Sequence, residues 1–341
     1  MPNDDLKKRI EALNKRPLDN VPEVANEDAF VRALRKKFAK QGTGYRGQVT
    51  EGKGYPSPRP SPARGEGEGV PEAVVYSRSA PQVTARPAFV TPSMPKDFGP
   101  AVALEDAVDG IVTEAPAGPG YYLIELPARE LEADATYMHR RFCSLTGHPD
   151  GQAVERICHA CKTERIAPEE VLFLDLETTG LAMTPVFLVG TMECTEDGFA
   201  FRQYFARDYS EEVSIVSAIS ERLKSAKMLV TFNGRTFDVP FLRNRAVATG
   251  VRFHDPETHL DLLYEARKVY RRELPNCRLQ TLEQMVCGRG REEDIPGAEI
   301  PAAYHDYVRT GNANKIQFIL QHNLHDLLTM ADLMNRMWLG E

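Results

Sequence analysis

Beginning at Val171, short apolar runs alternate with segments of helical periodicity. Val171-Leu172-Phe173-Leu174 is an unbroken apolar run, the pattern of a strand covered on both faces of its sheet. Val186 to Met192 forms a second such strand, Phe199 to Phe205 a third with alternating character, and Met228 to Phe232 a fourth. Between the third and the fourth, Val213, Val216, Ile219 and Leu223 recur at helical spacing within Glu211 to Ser225. A further helix is expected from Phe237 to Thr249, closed by Gly250. Near the C-terminus Ile316, Ile319, Leu320, Leu327, Met330, Ala331 and Met334 share one helical face. Three strands in succession, then helix, strand, helix and a short strand around Asp261, predict an α/β fold: a mixed sheet with helices on its faces.

Upstream the pattern changes character. Tyr121 to Leu126 reads as a strand and opens a lead-in segment, residues 121–170. Leu6, Ile10 and Leu13, then Phe30, Leu34 and Phe38, predict two short amphipathic helices within residues 1–40. Their apolar faces either fold back on the main domain or dock on a partner. Half of the 24 prolines lie between Pro56 and Pro119, and Ser57 to Gly69 is of low complexity, so residues 41–120 are expected to be a disordered linker. Residues 171–341 would then form the main domain.

Composition narrows the function. A chain of 341 residues with 42% hydrophobic content has room for an ordinary core. A net charge of −7 argues against coating nucleic acid by bulk electrostatics but leaves room for a local basic groove. Arg267, Lys268, Arg271 and Arg272 either track phosphates or form a solvated helix face. Met1 to Lys8 has no apolar leader pattern, and no stretch approaches the roughly 18 apolar residues of a membrane span. A cytoplasmic protein without a membrane partner is expected.

The first chemical signal follows the Val171 strand. In Asp175-Leu176-Glu177-Thr178-Thr179-Gly180 two carboxylates stand two positions apart, so an extended chain turns both to one side. Either they are solvated acids at a strand end, or their repulsion is relieved by a divalent cation. Asp238 follows the fourth strand, at the strand-to-helix junction where open α/β sheets place ligands. His322 and Asp326 lie four apart on the last helix and share a face, whereas His325 is turned away. Oxygen ligands of this kind suit Mg²⁺ or Mn²⁺. Separately, Cys158-His159-Ala160-Cys161 with Cys143 and His148 upstream offers a structural Zn²⁺ knuckle from Cys143, His148, Cys158 and Cys161. Reduced cysteines packed as small apolar residues are the alternative.

The ordered set of motifs resembles the DEDD superfamily of 3′-to-5′ exonucleases, specifically its YprB-like branch. The matching residues are Asp175 and Glu177 in Asp-x-Glu-Thr-Thr-Gly, Asn233-Gly-Arg-Thr-Phe-Asp238, and His322-Asn323-x-x-Asp326. Phe187 to Gly190, Asp294 to Gly297 and Glu299-Ile300-Pro301-x-x-Tyr304 also match that branch. The resemblance covers roughly residues 171 to 336 and implies a ribonuclease H-like (DnaQ-like exonuclease) fold. It further implies a two-metal phosphodiesterase. Asp175, Glu177 and Asp326 would hold the ion that activates water, Asp238 would support the second, and His322, near its normal pKa, would be the general base. The spacing departs from the proofreading-type members, in which the histidine precedes the last Asp by five positions. Thr178, Leu181 and Asn233 are candidate contacts to a single-stranded 3′ end, with Leu181 as core and Asn233 as a turn residue the plainer readings. DNA repair with a helicase partner is implied by the resemblance alone. A scaffold that binds nucleic acid without cutting it is the competing function, against which the intact set of acids stands.

Overall fold

The computed structural model describes residues 98–147, 166–181, 183–291 and 294–339, with 155, 157–159 and 162 between the first two stretches. The amphipathic helices expected within residues 1–40, and the linker as far as residue 97, lie outside the described residues.

Seven strands make one sheet. In chain order the elements are β1 (Ile111–Thr113), β2 (Tyr121–Pro127), α1 (Ala135–Gly147), β3 (Val171–Thr178), β4 (Val186–Thr195), β5 (Gly198–Phe205), α2 (Glu212–Ser225), β6 (Met228–Thr231), α3 (Asp238–Thr249), β7 (Thr258–Asp261), α4 (Leu262–Tyr270), α5 (Leu279–Met285), α6 (Ile300–Thr310) and α7 (Ile316–Leu339). The sheet order is β1-β2-β5-β4-β3-β6-β7. Hairpin connections make β3, β4 and β5 antiparallel, and β2 pairs antiparallel with β5. The helical crossovers α2 and α3 make β3, β6 and β7 parallel, as such connections require.

Alternation along β3 divides the core. Leu172, Leu174 and Leu176 join a cluster with α2, α3, α6 and the start of α7. Val171 and Phe173 turn to the other side, against Met138, Phe142 and Leu145 of α1 and Leu324, Leu327 and Leu328 of α7. Asp175 and Glu177 continue that second row. The apolar parity of the strand therefore aims both acids at the face on which α7 lies.

Two expected boundaries move. Order does not wait for Tyr121: a helical turn at Leu104–Ala107 and strand β1 fall within the stretch expected to be linker. Ile111, Val112 and Thr113 pair with Leu123, Tyr122 and Tyr121, which extends the sheet by one edge strand. Nor do residues 121–147 stand apart from the main domain. Strand β2 belongs to the same sheet, and α1 is tied to α7 by the Asn335 amide, which donates to the Met138 carbonyl at 2.9 Å. Among the described residues no helix is long and apolar enough to cross a membrane.

Candidate functional site

Strand β3 delivers the first two acids. It loses its register with β4 between Glu177 and Thr178, a bulge that ends the regular ladder where the motif turns. Thr178 Oγ1 donates to the Gly180 carbonyl at 2.6 Å, and the Thr179 amide and hydroxyl both bond to the Pro185 carbonyl. These hydroxyls shape the turn. They also hold Leu181 at its tip, where it is 61% exposed, so the core reading of Leu181 is set aside.

Directly across the ladder from Asp175 is Gly190. A Cβ at Gly190 would lie 1.9 Å from Asn323 Oδ1, so only glycine lets α7 approach the sheet here. Asn323, fully buried, uses that approach. Its Nδ2 donates to Asp175 Oδ2 at 2.8 Å and to the Asp175 carbonyl at 3.3 Å. Gln203 Nε2 donates to Asn323 Oδ1 at 2.9 Å and to the Leu320 carbonyl at 2.8 Å, which fixes the amide's orientation.

Asp238 opens α3. The loop before it turns on Asn233, whose φ of 68° is a left-handed conformation that Asn tolerates, and whose carbonyl accepts from the amides of Thr236 and Phe237. Asp261, at the end of β7, accepts from the amides of Asn233, Arg235 and Leu263 and so holds that loop from behind. The turn reading of Asn233 thus has a geometric basis, and Asp261 acts as an orienting group. Arg267, Lys268, Arg271 and Arg272 are exposed, and Lys268 is engaged with Glu265 at 2.8 Å and with the Tyr264 ring.

His322 and Asp326 arrive one turn apart on α7, with Nε2 3.6 Å from Asp326 Oδ2. His325 points elsewhere, with its Nε2 3.4 Å from the Gln321 amide. Three partners were not assigned roles from the sequence. Asp294 Oδ1 lies 2.8 Å from His322 Nδ1 and, as a carboxylate, accepts from it, which keeps the proton on Nδ1 and leaves Nε2 toward the acids. Arg291, only 4% exposed at its side chain, donates to Glu283 at 2.7 Å, to Asp294 at 3.1 Å and to Asp326. Glu283 in turn accepts from Thr329 at 2.9 Å. The Asp294-Ile295-Pro296-Gly297 match marked the place; no periodicity pointed to Arg291 or Glu283.

The electrostatics are those of crowded acids. Burial pushes Asp175 well above the usual carboxylate range, and Asp326, Glu177 and Asp238 push it further, against the Asn323 hydrogen bond. Burial raises Glu177 to about 7 and Asp238 to about 8. Burial favours the neutral imidazole of His322, but Asp326, the Asp294 hydrogen bond and Glu177 outweigh it and lift the group to about 9. Without a cation among the acids, this shift above the ordinary value favours the protonated imidazole. The acids still stand apart. Among the described residues, the only three His, Cys, Asp or Glu side chains whose ligand atoms gather within 4.8 Å are His139, Cys143 and Cys194.

Of the four expected zinc ligands, two lie among the described residues. Cys143 stands beside Cys194 of β4 and His139 of its own helix, Cys158 is buried outside the group, and His148 and Cys161 lie outside the described residues.

A model of the RNase_H superfamily matches residues 172–338. A protein of Bacillus subtilis (strain 168) described as "Uncharacterized protein YprB" is 29% identical over 182 residues, covering 52% of this chain and 44% of that protein. The chain thus spans less than half the length of this relative. Among solved structures, the family B DNA polymerase of the hyperthermophilic archaeon Pyrobaculum calidifontis aligns with a TM-score of 0.40 and 19% identity, over 48% of this chain and 24% of the polymerase.

Proposed function

Its seven-stranded mixed sheet and the superfamily match over residues 172–338 make this a ribonuclease H-like domain, and we propose that it is a metal-dependent 3′-to-5′ exonuclease. One observation carries the reading. Four carboxylates, from β3, the start of α3 and the middle of α7, converge: Asn323, three residues before Asp326, bonds both the carboxylate and the carbonyl of Asp175, and burial together with Asp326, Glu177 and Asp238 raises the Asp175 pKa. Such a set is costly to a fold unless cations share it. All its donors are oxygens, which fits Mg²⁺ or Mn²⁺. Asp175, Glu177, Asp238 and Asp326 would hold two such ions, whose chemistry is to lower the pKa of an attacking water and to stabilise the departing 3′ oxygen.

The chain's own groups do the positioning. Asn323 fixes one oxygen of Asp175, leaving the other for a ligand. Arg291 holds one oxygen of Asp326 and leaves the second toward His322. Asp294 keeps the Nδ1 proton of His322 in place, so Nε2 is the atom that takes a proton from water. That role needs the neutral imidazole, and cancelling negative charge among the acids moves His322 toward it. Leu181, 61% exposed, would offer an apolar edge to the terminal base, with Asn233 as a candidate contact to the sugar-phosphate; Thr178, buried with its hydroxyl on the Gly180 carbonyl, would act by shaping the turn that carries Leu181.

The direction of cutting tests the reading. With 5′-labelled single-stranded DNA and RNA in Mg²⁺ or Mn²⁺, products should shorten stepwise from the 3′ end, and a blocked 3′ terminus should stop them. Immediate release of a labelled 5′ nucleotide, or internal cuts in a circular substrate, would overturn the assignment of an exonuclease.

A further inference from the structure

Helix α1 places His139 and Cys143 four residues apart, on one face. That face meets the far end of β4, where Cys194 is buried one residue before the strand ends at Thr195. Cys143 Sγ lies 3.6 Å from Cys194 Sγ and 3.5 Å from His139 Nε2. The Phe199 ring, edge-on to the imidazole with centroids 5.2 Å apart, limits its rotation. With Zn–S bonds of about 2.3 Å and Zn–N bonds of about 2.0 Å, tetrahedral angles require roughly 3.8 Å between sulfurs and roughly 3.5 Å between sulfur and nitrogen. The observed separations match both.

We propose that His139, Cys143 and Cys194 form a Zn²⁺ site that staples α1 to the end of β4. Two thiolates and an imidazole are the soft donor set that selects zinc over the Mg²⁺ or Mn²⁺ suited to the carboxylates. The fourth tetrahedral position is left to an oxygen donor. His139 Nε2 bonds to the Thr195 carbonyl at 2.9 Å, so binding requires the Nδ1–H tautomer and a shift of that carbonyl. Thr195 is exposed at a strand end, where such a shift is small. Two protons leave the thiols as the ion binds, which makes uptake pH-dependent. The staple acts at a distance from the acids: α1 is bonded through Met138 to Asn335 of α7, the helix that carries His322 and Asp326.

The two plainer states of this cluster are a packed pair of reduced thiols and an oxidised disulfide. Full-length protein purified under reducing conditions and dialysed against Zn²⁺ should retain about one equivalent by elemental analysis. Exchange for Co²⁺ should produce a thiolate-to-cobalt charge-transfer band, which an all-oxygen site cannot give. Cys194→Ser and His139→Gln should lose both signals, each checked for native circular dichroism, while Cys158→Ser should keep them. Absence of retained zinc and of the cobalt band in the folded wild-type protein would overturn the site. So would a Cys143–Cys194 disulfide that forms equally fast with and without Zn²⁺, or loss of the signals in Cys158→Ser but not in Cys194→Ser. None of these readouts depends on nuclease activity.

Discussion

The two ends of the β3–β4 ribbon carry opposite chemistries. At one end Asp175 faces Gly190 across the ladder, and the surrounding groups are carboxylates that raise its pKa on top of burial. Toward the other end, past the Leu172–Glu193 pair, Cys194 meets a helix that brings two soft donors to within bonding geometry of a shared ion. At the acidic end burial and neighbouring acids raise the carboxylate pKa values, whereas at the thiol end the sulfur–sulfur and sulfur–nitrogen separations are those of a tetrahedral site. Hard ligands that repel need a framework to restrain them, and Asn323, Arg291 and Asp294 supply it. Neutral thiols need none, so three residues suffice.

This contrast can be broken most sharply at Asp326. Replacing it by Asn removes one of the proposed metal ligands and leaves Arg291 buried without one of its three carboxylate partners. Hydrolysis should fall by several kcal/mol of transition-state stabilisation, about a thousandfold, in single-turnover assays. Retained zinc in the same variant would keep the two ends independent. Asp294→Asn should cost less, about 10- to 100-fold, because it acts through His322 rather than on substrate. Its signature is in the titration: without that negative partner His322 should lose its proton at lower pH, seen by NMR of the imidazole. An unchanged titration would remove Asp294 from its positioning role.

Gly190→Ala tests the framework itself. The added methyl meets Asn323 Oδ1, so stability should fall by about 1–3 kcal/mol in denaturant melts, and activity should fall with it. Wild-type stability and activity would mean that the approach of α7 to β3 is not needed.

The smallest expected effect is in pH. Glu177 at about 7 and Asp238 at about 8 lie above their ordinary values of 4.5 and 3.8, and His322 at about 9 lies above 6.5. In each case the native state binds more protons than the unfolded chain between the two values, so stability falls as pH rises through that interval. Thermal melts in EDTA should therefore drop from pH 6 to pH 9, and Mn²⁺ should restore more at the upper end. A melting temperature that rises with pH in EDTA would contradict the charge crowding.

The same contrast explains what could be read from the chain. The strands and main helices announced themselves because parity and helical spacing are local, and Asp175, Glu177, His322 and Asp326 sit at fixed offsets on single elements. Edge strand β1 was hidden, since three exposed or half-exposed residues beside Gly and Pro look like linker until Tyr121–Leu123 pairs with them. Arg291 and Asp294 come from a loop, where no period says which way a side chain turns. Cys194 is 51 residues from Cys143, a separation at which no spacing rule pairs two cysteines.

Degradation of 5′-labelled single-stranded DNA by wild-type and Asp175→Asn proteins, each in Mn²⁺ and in EDTA, reaches the acidic end most directly. A 3′-shortening ladder in wild-type protein with Mn²⁺, lost in EDTA and lost in Asp175→Asn at equal folded concentration, is the expected result. A ladder of undiminished rate in Asp175→Asn would contradict a nuclease built on these carboxylates.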